Sequence, residues 1–248
     1  MWRRCLPALF ALLITLVAPA PCLADARDDL FKAAKLDNKF EIASLLKRGI
    51  SPKLTDPQRG ESALMLAVRE GSMQVLPVLL NARGINLDLR AKNGNTALMI
   101  AAFKKNKPAV EALLAKGAQV NNDGWTALHY AAASGDTEIV QLLLKKSAEV
   151  DATSPNMTTP LMMAAGGGHI YTVKALLDAG ADLNLANEQG LTALDFAKKG
   201  EFQDIVEGLK YRLKVAEKRA EKKAAEASEI EARQERPLNI DTRLPPME

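Results

Sequence analysis

Residues 123 to 136 read DGWTALHYAAASGD, placing Thr126, His129 and Ser134 within one short span. A hydroxyl beside an imidazole is the pairing from which an activated nucleophile is built, because the ring must take the hydroxyl's proton. The second histidine, His169, closes the run GGGH from Gly166, and glycine-rich turns can offer backbone N–H groups to a phosphate. NNDG, Asn121 to Gly124, carries oxygen ligands of the type a calcium loop uses. Met65, Met99, Met162 and Met163 bring thioethers, the soft ligands that suit copper.

Each of these chemistries lacks a necessary part. GGGH has no preceding strand and no Gly-Lys-Ser/Thr ending. NNDG lacks alternating acids and a closing glutamate. Both cysteines, Cys5 and Cys22, lie near the N-terminus, and two histidines fall short of the four ligands a structural zinc site takes. Ser134 has no evident base nearby. No nucleophile, base and oxyanion set can be assembled, so the sequence implies no catalytic residue, no metal and no cofactor.

The same residues are better explained by what recurs. DDLFKAA from Asp28, SALMLAV from Ser62, TALMIAA from Thr96, TALHYAA from Thr126, TPLMMAA from Thr159 and TALDFAK from Thr192 share one pattern. Their leucines, Leu30, Leu64, Leu98, Leu128, Leu161 and Leu194, are spaced 34, 34, 30, 33 and 33 residues apart. A nearly fixed period of this size marks a stack of small structural units. Asp28, Ser62, Thr96, Thr126, Thr159 and Thr192 are all residue types whose side-chain oxygen can cap a helix start. Pro160 falls at the first helical position, where its missing N–H costs little. Small residues such as Ala101–Ala102 and Ala131–Ala132 allow close helix approach. A turn with Gly71, Gly135 or Gly168 follows, then a second helix with paired aliphatics such as Ile139, Val140 and Leu143. The methionines and His129 occupy repeat positions (Met65, Met99, His129, Met162, Asp195), so they read as packing.

On these residues the chain resembles the ankyrin-repeat family. DGWTALHYAAASGDTEIVQLLLKKSAEVDA matches its repeat almost throughout, except for Ala127 where proline is common and Ser147 where glycine is usual. The resemblance covers roughly residues 28 to 208. It implies an all-α solenoid of about six helix-pair repeats, near 28–60, 61–93, 94–123, 124–156, 157–189 and 190–208, with short connecting hairpins projecting as fingers. It also implies that His129 binds the backbone of adjacent hairpins. The departures carry expectations of their own. The 30-residue interval shortens the finger before Trp125. Pro77 should cost a hydrogen bond and kink its helix. Met157 replaces the hairpin glycine, and Lys105 and Glu201 replace the glycine between helices.

The ends read differently. Arg3 and Arg4 precede the apolar run ALFALLITLVA and the small-residue pattern CLA, which predicts a signal peptide over 1–24 and a mature chain from Asp25. Loss of that segment leaves 31 Lys and Arg against 30 Asp and Glu, too balanced for a nucleic-acid partner. The predicted domains are the repeat region 25–208, a charged helix over 209–236 and a disordered tail over 237–248. The helix carries a weak apolar stripe at Leu209, Leu213, Ala216, Ala220, Ala227 and Ile230, a candidate for self-association. Its mixed charge argues against membrane binding.

Function is then expected at an exposed strip. In the ankyrin family partners often meet hairpin tips and first-helix ends, which correspond here to Arg59, Glu61, Arg69, Glu70, Lys92, Asn93, Asn95, Phe103, Lys104, Asp123, Trp125, Ser134, Asn156, Thr158, Glu188, Gln189 and Leu191. Phe103 and Trp125 form the expected apolar centre, the alternative being that Trp125 covers a neighbouring hairpin. The expectation is a non-enzymatic protein-binding module of the bacterial periplasm, or one secreted beyond it. The alternative is a regulator of an exported enzyme, acting as an inhibitor, immunity or stress-protective factor.

Overall fold

The computed structural model describes residues 23 to 234. The signal segment up to residue 22 and the tail over 237–248 therefore lie outside the described residues. Among the described residues there are twelve helices: α1 (Leu23–Lys35), α2 (Lys39–Lys47), α3 (Ala63–Glu70), α4 (Val75–Leu80), α5 (Ala97–Phe103), α6 (Lys107–Ala115), α7 (Ala127–Ser134), α8 (Thr137–Lys145), α9 (Pro160–Gly166), α10 (Ile170–Asp178), α11 (Ala193–Lys199) and α12 (Gln203–Gln234). Consecutive helices pair, and odd-numbered helices pack on odd-numbered neighbours to form an inner row beside an outer, even-numbered one. The hairpins between pairs contribute only isolated antiparallel bridges, Thr55 with Ser62 and Ala186 with Thr192.

The period and the small residues explain this packing. Ser62, Thr96, Thr126, Thr159 and Thr192 all stand in extended backbone immediately before an inner helix, as N-caps. Ala101, Ala102, Ala131, Ala132, Ala164 and Ala165 are fully buried, so adjacent inner helices meet across methyl groups alone. Leu64, Leu98, Leu128 and Leu161 fill the space beside them. Truncating one of these leucines to alanine removes transfer energy and leaves a cavity, together worth about 2–5 kcal/mol.

Two local expectations are corrected and a third is refined. Asp28 is not a helix start: α1 begins at Leu23, and the stretch LADAR before Asp28 holds neither proline nor glycine to stop it. The expected cleavage point after Ala24 thus falls within the first turn of α1. Pro77 does cost a hydrogen bond, but at the very start of its helix. The Leu76 N–H already donates to the Ser72 carbonyl at 3.1 Å. The next rung, to Met73, would fall to residue 77, which as proline has no N–H, and regular α4 runs only from Val75. Finally, the charged helix does not begin as a separate element at 209. The outer helix of the sixth repeat and the charged segment form one continuous α12, whose Ile205, Val206 and Leu209 are buried against the stack. Beyond them Leu213 is half-buried, while Ala216, Ala220 and Ala227 are exposed. Arg212 ties the helix to α10 through Asp178 at 2.7 Å.

The backbone shows where the repeat demands glycine and the chain supplies something else. Lys105, Ser147, Met157 and Glu201 all adopt positive φ, between 56° and 62°. Asp37 joins them at 53° and uses that position. Its Oδ1 accepts the N–H groups of Gln74 and Val75, both at 2.9 Å, and so caps α4 from the preceding repeat. Gln74 itself supplies no side-chain cap.

Two consequences are measurable by urea unfolding followed by circular dichroism. Ser147→Gly and Met157→Gly should each raise stability by about 0.5–1 kcal/mol, the left-handed penalty of an L side chain less the added chain entropy of glycine. Asp37→Ala should lower it by about 1 kcal/mol, the usual worth of a helix cap.

Candidate functional site

The threonine, histidine and serine of the opening span are all held in place by the repeat. The Thr126 N–H donates to His129 Nδ1 at 3.1 Å, and the Thr126 hydroxyl lies 2.9 Å from the same nitrogen. Nδ1 is therefore an acceptor, which puts the ring proton on Nε2. That proton is donated to the Thr158 carbonyl of the next finger at 2.9 Å. Thr126 and His129 are buried, leaving no space for a substrate beside the hydroxyl. The Ser134 hydroxyl donates to the Ala131 and Ala102 carbonyls at 3.0 and 3.3 Å. His169 Nε2 donates to the Ala133 carbonyl at 3.0 Å, tying the start of α10 to the end of α7. These side chains link one repeat to the next.

The N-cap threonine N–H meets a different acceptor in three repeats. In the third it donates to the Met99 sulfur at 3.4 Å, in the fourth to His129, and in the sixth to Asp195 Oδ2 at 3.1 Å. A thioether, an imidazole and a carboxylate do the same structural task. Hydrogen bonds from the Thr192 hydroxyl, its backbone N–H and Lys198 hold the Asp195 carboxyl below the usual aspartate range. Among the described residues no group of three or more His, Cys, Asp or Glu is placed to hold a metal ion. No helix among them is long and apolar enough to cross a membrane.

The expected strip divides by exposure. Arg59, Glu70, Lys92, Asn93, Phe103, Lys104, Asp123, Asn156, Glu188 and Gln189 are exposed, and Arg69, Asn95, Trp125, Ser134 and Leu191 are half-buried. Glu61 and Thr158 are corrections, being only 8% and 3% exposed. Both stand at the base of a finger, where the backbone is engaged. Glu61 exchanges hydrogen bonds with Asp56, and its carboxylate is ion-paired with Arg69. Thr158 donates its N–H to the Ser154 hydroxyl while its carbonyl takes the His129 proton.

Phe103 and Trp125 each pack against a third ring, Tyr130. The Tyr130 ring meets Phe103 edge-on at 6.0 Å between centroids and Trp125 at 6.2 Å. Trp125 also packs edge-on against His129 at 5.2 Å, so it covers the neighbouring helix as well as facing the strip. The Tyr130 hydroxyl donates to Asn95 Oδ1 at 2.6 Å, which fixes its ring across two repeats. A sequence signal for Tyr130 was present. Leu66, Ile100, Tyr130, Met163 and Phe196 recur two residues after the motif leucine, forming a row of large apolar side chains along the inner face.

Around this centre the surface is concave, with about 450 Å³ of space bounded by Arg59, Arg69, Lys92, Lys104, Phe103 and Tyr130 among others. Lys92 bridges two fingers. Its backbone N–H donates to the Arg59 carbonyl at 2.9 Å, and its Nζ to the Pro57 carbonyl at 2.7 Å.

A family model described as ankyrin repeats matches three stretches of the chain, residues 30–122, 79–154 and 148–219. Human SH3 and multiple ankyrin repeat domains protein 2 is 38% identical over 159 residues, covering 62% of this chain and 8% of that protein. Human transient receptor potential cation channel subfamily A member 1 is 33% identical over 159 residues, 59% of this chain and 14% of that protein. The chicken (Gallus gallus) nuclear factor NF-kappa-B p105 subunit is 30% identical over 221 residues, 76% of this chain and 22% of that protein. The chain thus spans a small part of each of these relatives.

His129 gives this site a pH signature. Burial holds its imidazole below the usual histidine range, against the pull of the Thr158 and Ala152 carbonyls. The ring is neutral in the fold and takes up a proton on unfolding. Its contribution is therefore complete above the unfolded pKa of about 6.5 and is lost as pH falls from there towards the folded value. Urea midpoints measured from about pH 7.5 to 5.5 should fall in the wild type. His129→Met, the residue used at positions 65, 99 and 162, should flatten that slope. Equal slopes in the two proteins would contradict the assignment.

Proposed function

This chain belongs to the ankyrin-repeat family, and from that premise we propose that it is a non-enzymatic binding protein exported to the bacterial periplasm. Ankyrin repeats are generally protein–protein interaction modules, and the fold is typically non-enzymatic. The partners in this reading are one or more proteins, met by the hairpin tips and inner-helix ends. The observation that carries the proposal is the pair Phe103 and Tyr130 inside a polar rim of Arg59, Lys92, Asn93 and Lys104, with Trp125 packed on Tyr130 beside it. Apolar rings ringed by polar side chains are how binding hot spots are commonly built. Phe103 is 54% exposed at the end of α5 and, unlike the exposed Tyr171 on α10, lies beside a second aromatic ring, that of Tyr130.

Export is supported by the basic pair Arg3–Arg4, the apolar run after it and the small-residue motif ending at Ala24. Self-association through the exposed alanine stripe of α12 is part of the same proposal. The stripe continues the face that Leu209 buries, and beyond the half-buried Leu213 its Ala216 and Ala220 line an open groove opposite Leu177, Ala181 and Leu183.

One experiment tests the core of this reading. A photoreactive phenylalanine analogue at Phe103, expressed in the native envelope, is expected to cross-link a distinct partner protein. The same analogue at Tyr171, exposed on the outer helix α10, serves as the control and should capture none. The captured chain should begin at Asp25 by N-terminal sequencing. Equal capture at both positions, or capture at neither, would refute the proposed surface, and an uncleaved cytoplasmic chain would refute the location.

A further inference from the structure

The rim of the aromatic centre is not evenly charged. Arg59 and Lys92 stand on the tips of the fingers before α3 and α5, and Arg69 and Lys104 end those two helices. The one carboxylate lining this groove, that of Glu61, is already paired with Arg69, which also meets Glu70 at 3.3 Å. Further along the strip the tips turn acidic, with Asp123 before α7 and Glu188 before α11. A chain whose whole formal charge is only +3 thus gathers Arg59, Lys92 and Lys104, beyond the paired Arg69, around one concave space floored by Met99, Ile100 and Phe103.

The geometry points to an acidic, extended protein segment carrying one large aromatic or aliphatic side chain as the occupant of this groove, with the apolar side chain seated against Phe103 and Tyr130 and its carboxylates met by Arg59, Lys92 and Lys104. This inference rests on the interaction reading above and narrows it to a partner class. Complementary charge is the warrant for the acids, since like-charged or neutral segments would leave these cations without compensation. The apolar floor and about 450 Å³ of space are the warrant for the anchor, being in the range that seats a small ligand. A nucleic acid fits less well. Its phosphates repeat at a fixed spacing and need a continuous basic track, whereas here a strand leaving the groove along the strip meets Asp123 and Glu188. Lys92 is set for the task by its two bonds across the second and third fingers, which hold the chain bearing it in place before any partner arrives.

The test is selection followed by measurement. A phage-displayed library of random peptides is panned against the full chain, and the recovered sequences are titrated by fluorescence anisotropy. The expected sequences place aspartates or glutamates beside a single Trp, Phe or Leu. Lys92→Glu together with Lys104→Glu should weaken them at least about tenfold and reduce the salt dependence of binding. Phe103→Ala should weaken them with the salt dependence retained. Both variants involve exposed side chains, and their unfolding midpoints are compared with the wild type first; Lys104→Glu alone serves where the double variant is unstable. Neutral or basic recovered sequences, no enrichment, an affinity indifferent to these variants, or a single-stranded oligonucleotide that competes at lower concentration than the peptide would each overturn the inference. The two proposals can fail separately. Capture of a protein at Phe103 with neutral sequences from panning retains the interaction module and removes the acidic class. Acidic sequences from panning without envelope capture retain the class and remove the periplasmic partner.

Discussion

No repeat of this chain can bury its own inner face. α5 is seven residues long and α7 eight, and the alanines on them lose contact with water only because α3, α7 and α9 lie against them. Helices this short are marginal alone, since each must bear the cost of nucleation for few hydrogen bonds. Stability is therefore a property of neighbours. The polar ties follow the same logic: Asp37 caps the helix of the next repeat, His129 reaches the next finger, and His169 reaches back to the end of α7. Below the fingers the pattern continues, with Asp88 accepting from Gln119, Asn121 from Glu149 and Asp151 from Asp182. Burial pushes the Asp151 carboxyl above the usual aspartate range, although the Asp182 N–H works against the shift.

This mutual dependence explains why apparently reactive side chains are engaged in holding the stack together and which side chains are left facing outward. A side chain that must satisfy a backbone group in the adjacent repeat is committed, and the cost of leaving that group unpaired keeps it so. His129 and Ser134 are in that position, and the Thr126 hydroxyl is held against His129. The side chains left with a free outward face are those at the finger tips and at the ends of the inner helices. Variation there costs the stack little, and it is there that Arg59, Lys92, Phe103 and Lys104 depart from one another in size and charge.

The repeat was legible because its signals are local. An N-cap residue two positions before a leucine, paired small residues and a glycine turn each have a short-range physical cause, and the structure places all five inner-helix caps from Ser62 to Thr192 where that pattern puts them. The replaced glycines at Lys105, Ser147, Met157 and Glu201 were equally readable, because the backbone position is dictated by the repeat whatever residue fills it. What depended on three-dimensional neighbours was not. Pro77 was readable as a lost hydrogen bond, but its residue type did not show that the loss falls at the start of the helix, one rung after the Leu76 N–H meets the Ser72 carbonyl. Glu61 and Thr158 occupy recognition positions by register, yet each is drawn inward by a particular partner, Arg69 in one case and His129 in the other. Tyr130 was hidden by its place inside the motif, although the row from Leu66 to Phe196 carried the signal. The join between the sixth repeat and the charged helix carries a single glycine, Gly208, and no proline, so composition changed there while the helix continued.

Amide hydrogen exchange across the whole chain examines the dependence on neighbours most directly. In a stack held together by adjacent units, protection should be greatest in α5 and α7, decline towards α1 and α11, and be least in α12 beyond Leu213, where no repeat lies alongside. Uniform protection from α1 to α11, or strong protection of the outlying part of α12 in a dilute monomer, would contradict the account.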